Sequence, residues 1–422
     1  MPRIFRISKT KFAFTALAFL LMGSLLVALS PDVISTDKSS ACPAPTKLIS
    51  EDFEGKAVCQ ISGIVSQDLT LTNDKFWALS GEVHIGIDRT KKTELTIQEG
   101  TTLFGKTEQD FLVINRGSKI LAQGTKEQPI VFTSRNDAAG LVAKAGEWGG
   151  IVIAGEAGIN ADGGENSFEF STTPIYYGGS DDEDSSGVLR YVLVKYAGHI
   201  VYTAKELNGI SFGGVGRGTE IDYVEVYKGK DDGIELWGGT VNLKHIVLID
   251  NGDDNLDIDE GYRGNIQYLY SSQDVEDAFY ARALEGDNNA DDPLASPRTA
   301  PIISNFTFIG GGYASEGVVL KKGGGATLLN GVIQGFEQTC LGLEDESTLA
   351  NKAIQIDAVT LLGCEKNHAG KRLDQEKVDA LFAQSSASYV SPKSYGSFFE
   401  ETNYRGAYEE ANDWRAGWSK LY

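Results

Sequence analysis

The amino-acid sequence predicts an all-β protein, a right-handed parallel β-helix in which short strands wind into a solenoid of stacked coils. Three observations support this fold class: an internal repeat of 22 residues, short segments rich in β-branched residues, and 49 glycines against 10 prolines. Glycine at this frequency favours many tight turns between short strands. Because no helical pattern separates the repeats, the βαβ units of other parallel sheets are excluded.

The repeat is clearest between residues 221 and 261. Residues 221–239 and 243–261 align without a gap at a shift of 22, which pairs Ile221 with Leu243, and a third copy at a shift of 23 adds Ile266 to the same column. A single coil cannot bury its apolar side, so coils stacked about 4.8 Å apart must supply the core. We therefore predict the solenoid over residues 60–370.

Residues 1–35 are predicted to be a signal peptide or an N-terminal anchor. Basic residues, including Arg3 and Arg6, precede an apolar run from Phe12 to Leu29, which is the order found in export signals. The run is long for a signal peptide, so an uncleaved membrane anchor remains open. Residues 36–59 are predicted to form an N-terminal segment that carries a cysteine pair.

Residues 371–422 are predicted to be a C-terminal capping tail, because the open end of a solenoid exposes unpaired backbone. Residues 373–384 have an amphipathic helical pattern, and residues 398–422 are rich in aromatic side chains. We expect Trp414 and Trp418 to cover an apolar end of the solenoid. A carbohydrate-stacking role for these rings is the alternative.

The four cysteines form an early pair, Cys42 and Cys59, and a late pair, Cys340 and Cys364. In an exported chain an even number of cysteines predicts disulfide bonds. Three connectivities are open, and the local one within each pair is the simplest. A zinc site is the rival interpretation, but no Cys-x-x-Cys spacing supports it.

The chain is strongly acidic, with a formal net charge of −21. Such a surface repels nucleic acid and anionic lipid, so neither is an expected partner. Membrane contact is expected only through the N-terminal segment, if that segment is uncleaved. The same charge suits either cation binding or a solvated acidic coat. We expect an exported protein located in the periplasm, on the outer cell surface or in the medium.

Several phrases of the chain resemble exported β-helix proteins of Gram-negative bacteria that are mostly hypothetical or lipoprotein-like. They include residues 95–102, 111–120, 147–153 and 232–241. The resemblance extends over nearly the whole mature chain and implies the β-helix fold and export, but that family brings no settled activity. The chain is more remotely similar to the pectate-lyase-like superfamily. No lyase catalytic motif is matched, so no catalytic residue is assigned.

The repeat also stacks carboxylates into columns. The alignment gives three columns, namely Asp231, Asp253 and Glu276; Asp232, Asp254 and Asp277; and Glu235 with Asp257. Carboxylates about 5 Å apart repel by roughly 1–4 kcal/mol per pair, so a cation, a proton or the nearby Lys228 and Lys230 must offset the repulsion. Calcium, an oxygen-seeking cation, is the predicted cofactor. The alternative is that these aspartates only form the corners of the coils.

A long loop between coils supplies a second acidic candidate at residues 285–292, with Asp287 and Asp291 as predicted calcium ligands. Loops on solenoids often carry function. The spacing lacks the glutamate at the twelfth position of an EF-hand, so an EF-hand site is not predicted.

Two functions remain open from the sequence. The first is a non-catalytic binding or cell-surface protein that holds calcium together with a polysaccharide or an outer-membrane protein. The alternative is a calcium-assisted polysaccharide lyase or a glycoside hydrolase, since the stacked carboxylates offer the pair that hydrolysis needs. For a lyase, the candidate bases near the columns are Lys244, Arg263 and Arg282.

Overall fold

The computed structural model describes residues 42–168, 170–171, 173–202, 205–275, 281–382 and 389–421. These residues form a parallel β-helix, which confirms the predicted fold class. The predicted signal peptide or anchor at residues 1–35 and the predicted ligands Glu276 and Asp277 lie outside the described residues. Within those ranges, no helix combines the length and the apolar character needed to cross a bilayer.

Each coil contributes strands to three parallel sheets, which we call the tail sheet, the site sheet and the third sheet. The tail sheet stacks Lys56–Val65, Phe76–Ile85, Thr102–Gly105, Ile130–Ser134, Gly187–Lys195, Glu220–Tyr227, Asn242–Ile249, Asn265–Gln273, Ile302–Gly310, Val332–Gln334 and Thr360–Leu362.

The site sheet continues the ends of Lys56–Val65 and Phe76–Ile85 and carries the candidate functional residues. Its further strands are Phe111–Ile114, Gly150–Ala154, Ile210–Gly213, Ile234–Trp237, Leu256–Asp259, Arg282–Gly286, Glu316–Leu320, Thr339–Leu343 and Lys366–Gly370.

The third sheet begins with Leu69–Leu71, Glu94–Ile97 and Lys119–Gln123, and it ends with Thr327–Leu329 and Gln355–Asp357. Between them lie the first halves of five long strands, which then bend into the tail sheet. Each bend is made at one residue with a positive φ, and these residues are Tyr191, Tyr223, His245, Tyr268 and Asn305.

The core follows the predicted columns. Ile221 pairs with Leu243, and Leu243 pairs with Ile266, on successive coils. All three side chains are buried. Because alternate residues of a strand point to opposite faces, this register directs one apolar column inward and leaves the polar column outside. The inward columns join into one apolar cluster along the described coils.

Both cysteine pairs form local disulfide bonds, Cys42–Cys59 and Cys340–Cys364. The simplest of the three connectivities is therefore confirmed. The zinc interpretation is wrong, since no described cysteine is free. The first bond lies beside the antiparallel strand Lys47–Phe53, which pairs with Lys56–Val65 and covers the edge of that strand.

A hairpin of strands Glu165–Phe168 and Ile175–Gly178 folds over the outer face of the site sheet. Phe168 packs edge-on against Trp237, with ring centres 5.0 Å apart. The buried Arg116 donates from Nη1 to the Gly178 carbonyl at 2.9 Å and so anchors the hairpin. The remaining elements outside the coils are His199–Tyr202, Lys205–Leu207, the helices Arg135–Ala138, Glu346–Leu349 and Gln375–Phe382, and the short 3₁₀ turns Asp162–Gly164 and Pro392–Tyr395.

The C-terminal tail runs along the side of the solenoid. Helix Gln375–Phe382 packs on the last strand of the site sheet, where Phe382 lies 5.0 Å from the ring of His368. Trp414 and Trp418, however, contact Tyr223 of a middle coil. The prediction that these tryptophans cover an end is therefore wrong. The helix already lies against the last coil, whereas the outer face of the tail sheet presents apolar side chains that the tryptophans cover.

Candidate functional site

The outer face of the site sheet carries a concentration of carboxylates, which we call the acidic face. Alternation within the strands places apolar residues such as Leu236 and Ile258 in the core and acidic residues outside. The acidic face consists of Asp232, Glu235, Asp254, Asp257, Asp259, Glu285 and Asp287. Glu235, Asp257 and Glu285 are paired in register on three successive strands, so their side chains form one column.

Two groups of carboxylates on and beside this face are close enough to share an ion. In the outer group, Asp231, Asp232 and Asp253 offer oxygens that all lie within 4.8 Å of one another. In the inner group, the same limit holds for Asp232, Glu235 and Asp257. Asp232 belongs to both groups and is buried, whereas Asp253 is exposed. The predicted columns therefore do bring carboxylates together, across columns as well as along them.

Asp254 belongs to neither group and has a different role. Its Oδ1 accepts a hydrogen bond from the backbone N–H of Arg282 at 2.7 Å, and its own N–H donates to Asp232 Oδ1 at 2.9 Å. These two bonds link three successive coils at the same corner. The predicted ligand Asp254 is thus occupied by backbone contacts, because the corner leaves the N–H of each following coil facing the carboxylate.

Basic side chains neutralise only one part of the acidic face. Arg282 contacts Asp254 at 3.6 Å and Glu316 at 3.4 Å, and it also pairs closely with Glu285. Lys321 pairs with Glu285 as well. The basic residues of the acidic face thus lie on strand Arg282–Gly286 and just after strand Glu316–Leu320. Both strands are two or more coils away from Glu235.

Lys228 and Lys230, predicted to offset the columns, lie elsewhere. Both line a surface cavity of about 430 Å³ together with Lys144, Tyr196 and Asp250. They follow strand Glu220–Tyr227, and the chain turns at Gly229 before it reaches the carboxylates. Within the described part of the chain, the acidic face is instead compensated by Arg282, Lys321 and Lys322, which sequence proximity did not single out as a set.

The loop candidates Asp287 and Asp291 are not brought together. Asp287 is buried and accepts a hydrogen bond from Lys322 Nζ at 2.8 Å. Asp291 is exposed, and its N–H donates to Asn289 Oδ1 at 3.0 Å. Neither belongs to a close group of possible metal ligands among the described residues. The loop is held by amide contacts of Asn288 and Asn289, so its alternating oxygens do not converge.

Burial changes the acid–base behaviour of the acidic face. Burial, reinforced by neighbouring carboxylates, raises the pKa of Asp232 and of Asp257 well above the usual range of an aspartate. Burial also raises the pKa of Glu235, although the hydrogen bond from Asn208 partly opposes it. For Asp259 and Asp287, burial raises the pKa to about 6. These side chains therefore hold protons more tightly than solvated carboxylates unless a cation replaces the protons.

A polar cavity of about 550 Å³ adjoins the acidic face. It is lined by amide and carboxylate side chains, chiefly those of Asn160, Asn166, Asp259, Glu260 and Asn289. The hairpin, the segment that leads into it and the loop that follows Gly286 form its walls. That segment is tied to the loop where Asn160 Nδ2 donates to Asn288 Oδ1 at 3.0 Å. Such a lining offers donors and acceptors in alternation, as hydroxyl-rich ligands require.

Sequence reasoning missed the amide groups of the site and misplaced two of its bases. Asn208 precedes strand Ile210–Gly213, and Asn160 follows strand Gly150–Ala154. Neither residue belongs to the aligned repeats, so only the register of the coils could have located them. Lys244 contacts the tail through the Phe398 carbonyl at 3.2 Å, and Arg263 binds Asp182. Of the three predicted bases, Arg282 alone lies on the acidic face.

Comparison with known proteins agrees with this architecture. Residues 63–419 match the family model described as pectate-lyase like beta helix domain. No curated protein gives a significant match. Among solved structures, the chain is similar to the enzymatically active domain of tailspike protein 2 of bacteriophage CBA120, with 14% identity, a TM-score of 0.28, and coverage of 75% of this chain and 41% of that one.

The full-length tailspike protein 2 of Escherichia coli O157:H7 bacteriophage CAB120 gives 13% identity and a TM-score of 0.26, and the match covers 75% of this chain and 37% of that one. The chain thus spans well under two thirds of either tailspike structure, and these scores are too low to locate a site. The family match, in contrast, extends over most of the described coils and the tail. By that match, the chain belongs to the pectate-lyase-like β-helix family.

Proposed function

We propose that this chain is an exported glycan-binding protein that holds calcium and a polysaccharide on its acidic face. The observation that carries the proposal is the outer group, in which oxygens of Asp231, Asp232 and Asp253 lie within 4.8 Å of one another. All its ligands are oxygens, which suit a hard cation. Because Asp253 is exposed, oxygens of a sugar have access to coordination positions that the protein leaves open.

The surroundings support a carbohydrate as the second ligand. The polar cavity beside the acidic face offers carboxamides and carboxylates. Such groups pair with the hydroxyl groups of sugars, both as donors and as acceptors. The description of the family as pectate-lyase-like also favours a carbohydrate ligand.

The proposed location is the periplasm, the outer surface or the medium of a Gram-negative cell. Two disulfide bonds fit an oxidising compartment. An outer-membrane protein remains the other proposed partner, because the acidic face would also suit a basic protein surface.

The test is a melting experiment on the full chain with calcium and with chelator, followed by binding to a panel of acidic and neutral polysaccharides. Calcium at a hundredfold excess over its dissociation constant should stabilise the fold by about 2.7 kcal/mol. Asp253→Asn should reduce this response and weaken calcium-dependent glycan binding. Asp68→Asn is the matched control, because Asp68 is an exposed aspartate outside both groups and outside the polar cavity.

Three results would contradict the proposal. An identical melting curve in calcium and in chelator would remove the role of calcium. Binding to no polysaccharide, with or without calcium, would remove the role of the glycan. An effect of Asp68→Asn equal to that of Asp253→Asn would show that calcium acts through overall charge and has no defined site.

Glycoside hydrolysis is the second candidate, favoured by one observation. Glu235 and Asp257 lie opposite each other on adjacent strands, and burial raises the pKa of both. A close carboxylate pair of which one member keeps its proton is the arrangement of a retaining glycosidase. Release of new reducing ends from a polysaccharide, lost in Asp257→Asn, would replace the binding proposal. An unsaturated product would instead indicate a lyase with Arg282 as the nearest base.

A further inference from the structure

The inner group lacks a basic partner, unlike its neighbours. Arg282 and Lys321 contact Asp254, Glu285, Glu316 and Asp287. Among the described residues, no ion pair within 4.0 Å involves Asp232, Glu235 or Asp257. Three carboxylates thus lie together at the middle of the acidic face, and none of them forms an ion pair within 4.0 Å with a described basic side chain.

An amide oxygen beside this group also lacks a partner. Asn208 is 1% exposed, and its Nδ2 donates to Glu235 Oε2 at 2.6 Å. The Oδ1 of the same amide is buried and has no hydrogen-bond partner. Since both atoms belong to one planar amide, this oxygen lies within a few ångströms of Glu235. A buried acceptor without a partner is unfavourable, and a cation is one ligand that would satisfy it.

The two groups share Asp232, which restricts how ions can occupy them. Together they contain five carboxylates, from Asp231, Asp232, Glu235, Asp253 and Asp257. A carboxylate shared between two neighbouring ions is a recurrent arrangement in two-metal sites.

We infer that Asp232, Glu235 and Asp257, together with the amide oxygen of Asn208, bind a second divalent cation, and that Asp232 bridges it to the cation of the outer group. The inference rests on the proposed function for the outer site and extends it from one ion to two. The ligands are all oxygens, so the ion belongs to the class of calcium and magnesium. Positions that the protein leaves open on both ions would hold two neighbouring oxygens of one sugar.

The number of ions bound by the full chain tests this inference without any variant. Calcium alone is titrated into metal-free protein by calorimetry, and the complex is weighed by native mass spectrometry. Two calcium ions per chain are expected. A single ion in both measurements would overturn the inference and leave the proposed function intact. Binding of no ion would contradict both.

Variants then locate the two ions. Asp253→Asn and Asp257→Asn should each leave one ion, and Asp232→Asn should weaken both sites at least tenfold. Asn208→Ala should weaken one site about tenfold, the size of effect typical of a supporting group at a metal. Asp287→Asn is the matched control, since Asp287 is a buried carboxylate of the same face that is paired with Lys322, and it should keep two ions.

Two further outcomes are decisive. If Asp257→Asn and Asn208→Ala both keep two ions at unchanged affinity, the second ion lies elsewhere and the inference is wrong. If Asp257→Asn does not fold, Asn208→Ala decides alone, because it removes an uncharged amide and leaves all five carboxylates in place. A tenfold weaker affinity for one of the two ions in this variant, with circular dichroism unchanged, would support the site, and two ions at unchanged affinity would overturn it.

Discussion

Glu225 shows how strongly the position of a single side chain alters its chemistry. It lies on the outer face of the tail sheet, completely buried under the C-terminal tail. Both of its oxygens accept from the backbone N–H of Lys420, at 3.1 and 3.0 Å. Burial raises its pKa to about 7, although bonds from the tail partly oppose this. Its neighbours along the column, Leu193 and Val247, are apolar and give the charge no solvation.

This pKa predicts a pH dependence with a definite sign. The folded chain binds the proton of Glu225 more tightly than the unfolded chain, whose pKa is near 4.5. The contribution of this proton to the free energy of unfolding is fully present below about pH 4.5. It falls by about 3 kcal/mol as the pH rises to about 7, and above that pH it stays level. Glu225→Gln should remove this part of the decline, measured by chemical unfolding at pH 5 and pH 8.

Glu220→Gln is the control for this prediction, since Glu220 is an exposed glutamate on the same strand. It should leave the pH dependence as it is in the wild type. Because Asp259 and Asp287 also have raised pKa values, the difference between the variants, and not the slope of the wild type, reports on Glu225. Equal slopes for wild type and Glu225→Gln would contradict the prediction.

At the scale of elements, the tail is held by two kinds of contact. Side chains of the coils bind its main chain, as where Asn305 Nδ2 donates to the Tyr404 carbonyl at 3.1 Å. Its tryptophans pack on the edge of a stack of three rings. The centre of the His245 ring lies 4.2 Å from that of Tyr223 and 4.7 Å from that of Tyr268. His245, bonded to Asp222 at 2.8 Å, is therefore a structural residue.

Trp418→Ala should release the end of the tail while the coils stay folded. Truncating a buried tryptophan costs about 3–5 kcal/mol, and that loss falls on the packing of the tail against the tail sheet and leaves the stacked coils intact. Limited proteolysis with mass spectrometry should show faster cleavage between residues 389 and 421. Tyr313→Ala, which truncates an exposed ring, should not change the rate. A lowered melting temperature of the coils with no new cleavage would show that the tail and the coils unfold as one unit.

At the scale of the whole molecule, the net charge of −21 opposes folding through repulsion over the entire surface. Sodium chloride raised from about 0.01 M to about 1 M shortens the screening length from about 30 Å to about 3 Å. The melting temperature should therefore rise by a few degrees, gradually and without saturation. The response to calcium should instead saturate and be smaller in Asp253→Asn. A calcium response of equal size in both proteins would mean that calcium acts by screening.

The repeat determined much of this structure by itself. Once Ile221, Leu243 and Ile266 form a column, the register of the coils follows, because a slip of one residue would turn every inward side chain outward. The same register places Glu235 opposite Asp257, so the carboxylate column was predictable from spacing alone. The local disulfides were the simplest of the three connectivities that the sequence left open, and the structure selected them.

Only the tertiary structure decided which of these carboxylates face one another and which are already bound. Asp254 and Asp257 both belong to predicted carboxylate columns, yet one accepts the N–H of Arg282 and the other joins Asp232 and Glu235. Asn208 comes from an earlier coil, outside the aligned repeats. A periodic sequence specifies neighbours along a column, because stacking repeats at one distance. Contacts between columns depend on the bends of the coils, and contacts of the loops and the tail depend on insertions of unequal length. Neither the bends nor the insertions follow the period of the repeat, so the sequence pattern does not predict these contacts.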